Sequence, residues 1–405
     1  MTYVRYENRQ TVAWASGTGA SPVATYSYRV SGLSVDMEKS IALQNASFIG
    51  KDYPAAARPG GRYIDLSFQC EFRGSGTNSV PCPEGALLRA CGMSETANGY
   101  GFIYAIADTH LDSGVPAGET DAIDLAVYQD GLYRLCDECV GNVVFNFEAG
   151  QIPTMDFTFR GIVVTAREGG IEDFSPPTYT VGENPVPVQY ESLTLTQTRD
   201  AEVAGTVTGT SSTTVLIASA STFWDDGVYA GDAIELTVGG ETATVVSVDS
   251  QTQLTSTALS GTGEYDSGEA FVITKANLSL TSLVVPRLTY DMGNILGNRP
   301  DVSGGHGFSA PIIPGRDPRY TMLVEQPDLT DYNFEYEYYN NSEITFTHTH
   351  EQDLGVRHEV AISWTGILAE KPTTVVQNGK LMYQLVFDQS DRSGATVFTL
   401  TWKGA

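Results

Sequence analysis

Three groups of residues have types and spacings that could support chemistry. His348 and His350 stand two apart, and His358 follows nearby. On an extended strand such residues share a face, so the two imidazoles could begin a site for zinc or a similar ion. Glu351 and Asp353 are close by, but no carboxylate or cysteine is well placed to complete a ligand set, and a polar strand face explains the same spacing. Cys136-Asp-Glu-Cys139 is a lone C-x-x-C, to which Cys82 and Cys91 could add the two further ligands that zinc requires. No βαβ pattern surrounds it, which argues against a thioredoxin-like redox motif, and reduced thiols in strands and loops are the simpler reading. The sequence leaves open whether either pair holds a metal. Acidic pairs such as Asp225-Asp226 and Glu335/Glu337 have the composition for general acid–base work, but with 49 acidic residues such pairs arise by chance. No G-x-S-x-G elbow, P-loop or dinucleotide fingerprint occurs. No catalytic residue, metal or cofactor is therefore expected, and His306 reads as a solvated loop residue.

The elements that would carry these side chains are mostly strands. Every second residue is apolar in Ile64-Asp-Leu-Ser-Phe-Gln-Cys-Glu-Phe72, so one face packs and the other stays polar. The pattern returns at 143–148, 155–161, 344–350 and 358–366. By this rule Asp65, Ser67, Gln69, Glu71, Asn146, Glu148, Asp156 and Thr158 fall on the polar face, as do Thr345, Thr347, Glu359 and Ser363 further on. Only Pro83-Glu-Gly-Ala-Leu-Leu-Arg-Ala-Cys91 has a helical pattern, with Gly92 placed to stop it. Asp130-Gly131 is a hairpin signal.

The order of these elements repeats. A strand near 26–35, a loop, and a strand from Arg62 are echoed by a strand near 277–290, a similar loop, and a strand from Arg319. Asn142 to Phe147 parallels Glu343 to His348, and Thr158-Phe-Arg-Gly-Ile162 parallels Ser363-Trp-Thr-Gly-Ile367. Between the copies, residues 201–276 are rich in Ser, Thr, Gly and Val and carry ten acidic residues against one basic residue, Lys275. Their turns, at Val238-Gly-Gly-Glu241 and Ser260-Gly-Thr-Gly263, punctuate short strands as in a small β-barrel or sandwich. The strand at Tyr190 to Thr196 is expected to resume at Ala276 to Thr281 after this insertion. The expected division is 1–182 as a first domain, 183–200 with 277–405 as a second, and 201–276 as the insert.

The chain has 405 residues, 41% hydrophobic and only 18% charged, with 21 Tyr and 16 Phe. That length and composition support a mainly β protein of two or three domains. The net charge of −26 repels phosphates, which excludes an ordinary DNA-binding protein because such affinity comes from Lys and Arg. No run of about 20 apolar residues is present to span a membrane as a helix. The N-terminal MTYVRYENRQTVAW lacks a signal-peptide layout, so the chain is expected to be made and assembled in a cytosol. Five cysteines without such a signal argue against a disulfide framework.

The run Tyr63 to Gly76 followed by Pro83-Glu-Gly-Ala-Leu-Leu-Arg-Ala-Cys-Gly-Met resembles the major tail tube proteins of long-tailed, siphovirus-like bacteriophages. So do Asp121 to Gly131, Cys139 to Gly150 and Met155 to Ile162, which follow that family's Tyr-x-Asp-Gly hairpin and Gly-flanked aromatic hairpin. The resemblance covers 26–165 well and 277–405 more loosely. It implies two tandem tube β-sandwich domains, each with a short helix, contributing to a ring-shaped β-barrel. Two such domains per chain imply trimeric rings with pseudo-sixfold symmetry, stacked into a tube for DNA in transit. The implied location is the virion tail. The implied partners are further copies of the chain, the tape-measure protein, the tail terminator, and distal tail or baseplate proteins. The loops at 36–62 and 291–318 would touch the next ring, and 201–276 would decorate the exterior. The polar-face residues named above would then line the lumen, where an acidic surface lets DNA slide without sticking. A distal tail or baseplate hub protein is the closest alternative, and a carbohydrate-binding β-adhesin a more distant one.

Overall fold

The computed structural model describes residues 10–14, 26–42, 58–72, 81–82, 84–97, 101–106, 122–129, 132–167, 190–197, 202–209, 212–261, 263–276, 278–280, 283–300, 308–327, 332–353, 357–390 and 398–403. The first segment contains β1 (Gln10–Trp14), β2 (Tyr26–Arg29), β3 (Ser31–Ala42), β4 (Arg58–Glu71), α1 (Gly85–Ala90), β5 (Met93–Ala97), β6 (Gly101–Ile106), β7 (Ile123–Gln129), β8 (Leu132–Glu148) and β9 (Thr154–Arg167). After β10 (Tyr190–Gln197) comes the acidic insert, with β11 (Glu202–Thr206), β12 (Val215–Ile217), β13 (Ala233–Leu236), β14 (Thr242–Ser250), β15 (Gln253–Ser256) and β16 (Ala270–Thr274). The chain returns through β17 (Leu278–Leu280), β18 (Arg287–Asp291), β19 (Asn294–Pro300), β20 (Phe308–Arg316), β21 (Arg319–Glu325) and α2 (Phe334–Asn340). It ends with β22 (Glu343–Asp353), β23 (Arg357–Leu368), β24 (Thr373–Gln377), β25 (Lys380–Gln389) and β26 (Phe398–Lys403). The protein is mainly β, as its composition indicates.

The expected alternation sets the packing. Ile64, Leu66, Phe68, Cys70 and Phe72 are buried, while Asp65, Ser67, Gln69 and Glu71 are half-buried. All strand pairing among the described residues is antiparallel. One run of neighbours is β3-β4-β9-β8-β18-β21-β25-β24, and β7, β1 and β2 extend from the early part of β8. A second run is β17-β10-β22-β23-β26-β6-β5. Residues Gly366–Leu368 of β23 pair with β25 and join the two runs into one sheet. Each run takes strands from both segments, through Asn146↔Thr289 in one and Ile103↔Thr401 in the other.

The apolar faces of the two runs meet. Tyr320 stacks on Trp364 at 3.6 Å, Tyr290 on Phe398 at 4.2 Å, and Phe147 meets His348 edge-on at 5.3 Å. Both segments thus contribute to one hydrophobic core. Each large side chain buried there stabilises the fold by about 1.5–3 kcal/mol. His348 is fully buried on this face, beside Ile344 and Phe346, so the polar-face reading of that residue is corrected. An imidazole is largely a flat ring, and the aromatic core accepts it edge-on.

The sequence predicts loops over 36–62 and 291–318, but strand pairing continues into both. β3 and β4 remain paired out to Ala42↔Arg58, and β19 and β20 run from Asn294↔Arg316 to Pro300↔Phe308. A ladder satisfies the backbone amides and carbonyls that a long loop would leave exposed. Residues 43–57 and 301–307, with His306, and the Asp130-Gly131 turn lie outside the described residues.

Sequence reading also misses α2. Its signals are local: the Asn333 side chain accepts from the amides of Glu335 and Tyr336, and Asn341 closes the helix at φ +50°. The insert forms one six-stranded sheet, ordered β11-β16-β13-β14-β15-β12 and curled into a half-barrel. It encloses its own core around Phe223, Leu254, Tyr265 and Phe271. The strand expected to resume across the insert does not do so: β10 and β17 lie side by side, with Leu195↔Leu280. The chain leaves and re-enters at neighbouring strands, which keeps the two ends of the insert together.

Candidate assembly surfaces

The polar face of β3, β4, β9, β8 and β18 is a hydrogen-bonded network. The Arg160 guanidinium grips Asp65 through two bonds of 2.7 Å and lies 4.6 Å over the Tyr63 ring. It also donates to the Leu296 carbonyl on β19. Asp156 accepts from Gln69 and Asn146, each at 2.8 Å, and Gln69 in turn accepts from Ser31. Asn142 donates to Asp291 at 2.8 Å, carrying the network onto β18. Glu148 and Thr158 are exposed on this face. The register extends the rows into the second segment, as Glu71–Thr154–Asn146–Thr289–Thr321 and as Gln69–Asp156–Val144–Asp291–Arg319–Asp388.

The other run of strands carries hydroxyls instead. One row reads Thr194–Thr347–Ser363–Thr399–Ala105–Ser94, and its neighbour reads Ser192–Thr349–Ala361–Thr401–Ile103–Thr96. The Thr345 and Thr365 hydroxyls are 2.9 Å apart. Glu359 pairs with Lys403 in the backbone register; its side chain is outside the described residues. The structure therefore brings Ser67, Gln69, Glu71, Asn146, Asp156 and Thr158 onto one face, with Asp65 beyond them on β4. It brings Thr345, Thr347 and Ser363 onto another. Because the apolar faces of the two runs pack together, these polar faces point away from each other where β8 crosses β22.

Two features bear on contacts with other molecules. The β19–β20 hairpin is rooted on the first segment of its own chain. Asn294 donates to the carbonyls of Cys91 and Gly141, Arg316 donates to Gly92, and Ile313 packs with Ala122 and Val140. By contrast β24 is an edge strand whose five residues are all exposed, with Val375, Val376 and the adjacent Leu381 open to solvent. Its turn uses Asn378 and Gly379 at φ +52° and +78°, the geometry that tight hairpins favour. Unpaired edges of this kind are templates for strand addition.

The residues that could do chemistry do not gather. Cys70, Cys82, Cys91, Cys136 and Cys139 are free and buried. Burial pushes the Cys136 thiol up to about 12 and raises Cys139 well above the thiol range, so neither is a thiolate at neutral pH. The spacing of Cys136 and Cys139 straddles a bulge at Glu138, φ +54°, which turns both side chains inward. Among the described residues no group of three or more His, Cys, Asp and Glu is placed to hold a metal ion. Asp226 accepts from Thr222, Glu335 lies 3.8 Å from Lys371, and Glu337 is buried between Gln197 and the Tyr229 hydroxyl. No helix among the described residues is long and apolar enough to cross a membrane. Against known proteins, the chain matches no family model and no curated protein at a significant level.

Proposed function

We propose that the chain is a structural virion protein, the tail tube subunit of a long-tailed bacteriophage. It would assemble as trimeric rings with pseudo-sixfold symmetry, stacked into a conduit for DNA. The observation that carries this reading is the strand register: long antiparallel ladders run from one repeated segment into the other and present a continuous, acidic, hydrogen-bonded polar face. Open strand edges such as β24 need a neighbour, and ring closure supplies one. The tape-measure protein, the tail terminator and distal tail or baseplate proteins would bind the tube, which sits in the virion tail after assembly in the host cytoplasm. A distal tail or baseplate hub component is the second reading; many copies per purified virion would favour the tube, a single ring the hub.

The two polar faces point apart, so one chain offers only one of them to a single channel. We assign the lumen to the face of Asp65, Gln69, Glu71, Asn146, Glu148 and Asp156, because carboxylates there repel phosphates. Electron microscopy of the purified protein tests assembly: stacked rings of three chains are expected, and rings of six full-length chains or persistent monomers overturn the proposal. Glu148→Lys with Thr158→Lys tests the lumen. Both positions are exposed, so assembly should persist while DNA release slows most at low salt. Release matching the parent at low salt removes this face from the DNA path.

A further inference from the structure

A cleft of about 560 Å³ opens where the half-barrel insert meets α2, within the size range of small-molecule sites. Its walls hold rings with open faces. Trp224 is 49% exposed and Tyr339 67% exposed, although large aromatic side chains gain most from burial. The Trp224 indole is held by its edge, through a 3.3 Å bond from Nε1 to the Val248 carbonyl, which leaves the ring face available. Hydrogen-bonding groups surround the rings. Gln251 Oε1 accepts from the amides of Trp224 and Asp225, so its amide is fixed with Nε2 left to donate. Asn340 Nδ2 donates to the Tyr336 carbonyl, leaving Oδ1 to accept. The exposed Asp225 carboxylate adds two acceptors.

The cleft is preformed. Glu337, 1% exposed, receives hydrogen bonds from Gln197 and from Tyr229 of the insert. Gly227, at φ +65°, lies flat against the Tyr336 ring, where any Cβ would collide. Tyr229 and Tyr332 stack at 6.0 Å. A site already ordered before binding loses little entropy on binding.

We propose that this cleft binds a neutral glycan. A pyranose ring has an apolar C–H face and a rim of hydroxyls, which matches open aromatic rings bordered by fixed amide and carboxylate groups. The lining includes Asp225 and Glu335 and no cationic side chain, which disfavours phosphates and nucleic acid. Lys371 stands 3.8 Å from Glu335 and offsets part of the acidic charge there, and the tetramethylammonium arm of the test below separates a cationic occupant from a glycan. The proposal does not depend on tube assembly.

The test uses the full-length chain and three neutral probes: maltotetraose, cellotetraose and tetra-N-acetylchitotetraose, followed by ligand-observed NMR and tryptophan fluorescence. Saturable binding of at least one probe is expected at up to millimolar concentration. It should weaken about tenfold in Trp224→Ala and in Tyr339→Ala, as loss of one ring contact implies. Tyr339 projects into solvent, so its variant reads the site even if Trp224→Ala perturbs the insert. No saturable response to any of the three, undiminished binding in Tyr339→Ala, or preference for tetramethylammonium over all three would overturn the proposal.

Discussion

The two repeated segments share an element order but use it differently. In the first, β4 leads to α1, then three more strands, then the β8–β9 hairpin. In the second, β21 leads to α2 and directly into the β22–β23 hairpin. Gly161 and Gly366 occupy matching places in the second strand of each hairpin, and both are too crowded for a side chain, against Cys139 and the Asp388 carbonyl respectively. The preceding residues diverge. Arg160 reaches across to Asp65 on β4, whereas Thr365 meets Thr345 on its own hairpin. The reason is the neighbour: β9 pairs with β4, but β23 is separated from β21 by β25. An arginine fits where a carboxylate strand lies alongside, and a threonine fits where it does not. A repeat in sequence therefore preserves glycine and core positions while strand neighbours set the polar chemistry.

Four measurements can break or sharpen this comparison. The largest effect is expected in the core. Trp364→Ala and Phe159→Ala, at matching places, should each cost about 3–5 kcal/mol in chemical denaturation. Trp364 touches Tyr320, Phe346 and Phe387 from several strands, so its variant should lie at the upper end; equal losses would remove that distinction. Next, Asp65→Ala should cost about 1.5–3 kcal/mol, since a charge-assisted pair at 21% and 30% side-chain exposure is lost. Thr365→Val should cost about 1 kcal/mol. A smaller loss for Asp65→Ala than for Thr365→Val would contradict the ion pair's role.

The third concerns pH. All five cysteines belong to the first segment. Burial raises the Cys136 thiol from 9.0 to about 12, so the unfolded chain releases this proton before the folded one. Its contribution is complete below pH 9 and declines as pH rises toward 12, at about 1.4 kcal/mol per pH unit. Cys136→Ala should flatten the fall in Tm between pH 9 and 11; an unchanged slope would show that the thiol does not drive it. The smallest effect is expected at α2. Asn333→Ala should cost about 1 kcal/mol through loss of the cap. At α1, Glu84 makes no side-chain cap, and no comparable cap is available to lose.

Much of the fold is legible in residues. Alternation at 64–72 and 155–161 fixes which side chains pack, because side chains on a strand point to opposite faces with a period of two. The helix at 85–90 and the turn glycines Gly239 and Gly240, at φ +102° and +67°, follow from local rules that act over a few residues. Of the polar residues named from alternation, Gln69 and Asn146 both bond to Asp156, while Asp65 bonds to Arg160. What local rules do not carry is strand adjacency. His348 reads as polar in isolation and is buried, because the strand opposite it supplies Phe147. Residues 36–62 and 291–318 read as loops, because Gly and Pro punctuation hides the pairing of β3 with β4 and of β19 with β20. The division of the polar residues between two opposed faces, and the placing of Trp224 and Tyr339 around one cleft, depend on contacts between distant parts of the chain. Periodicity assigns a side chain to a face of its own strand; only packing decides what that face meets.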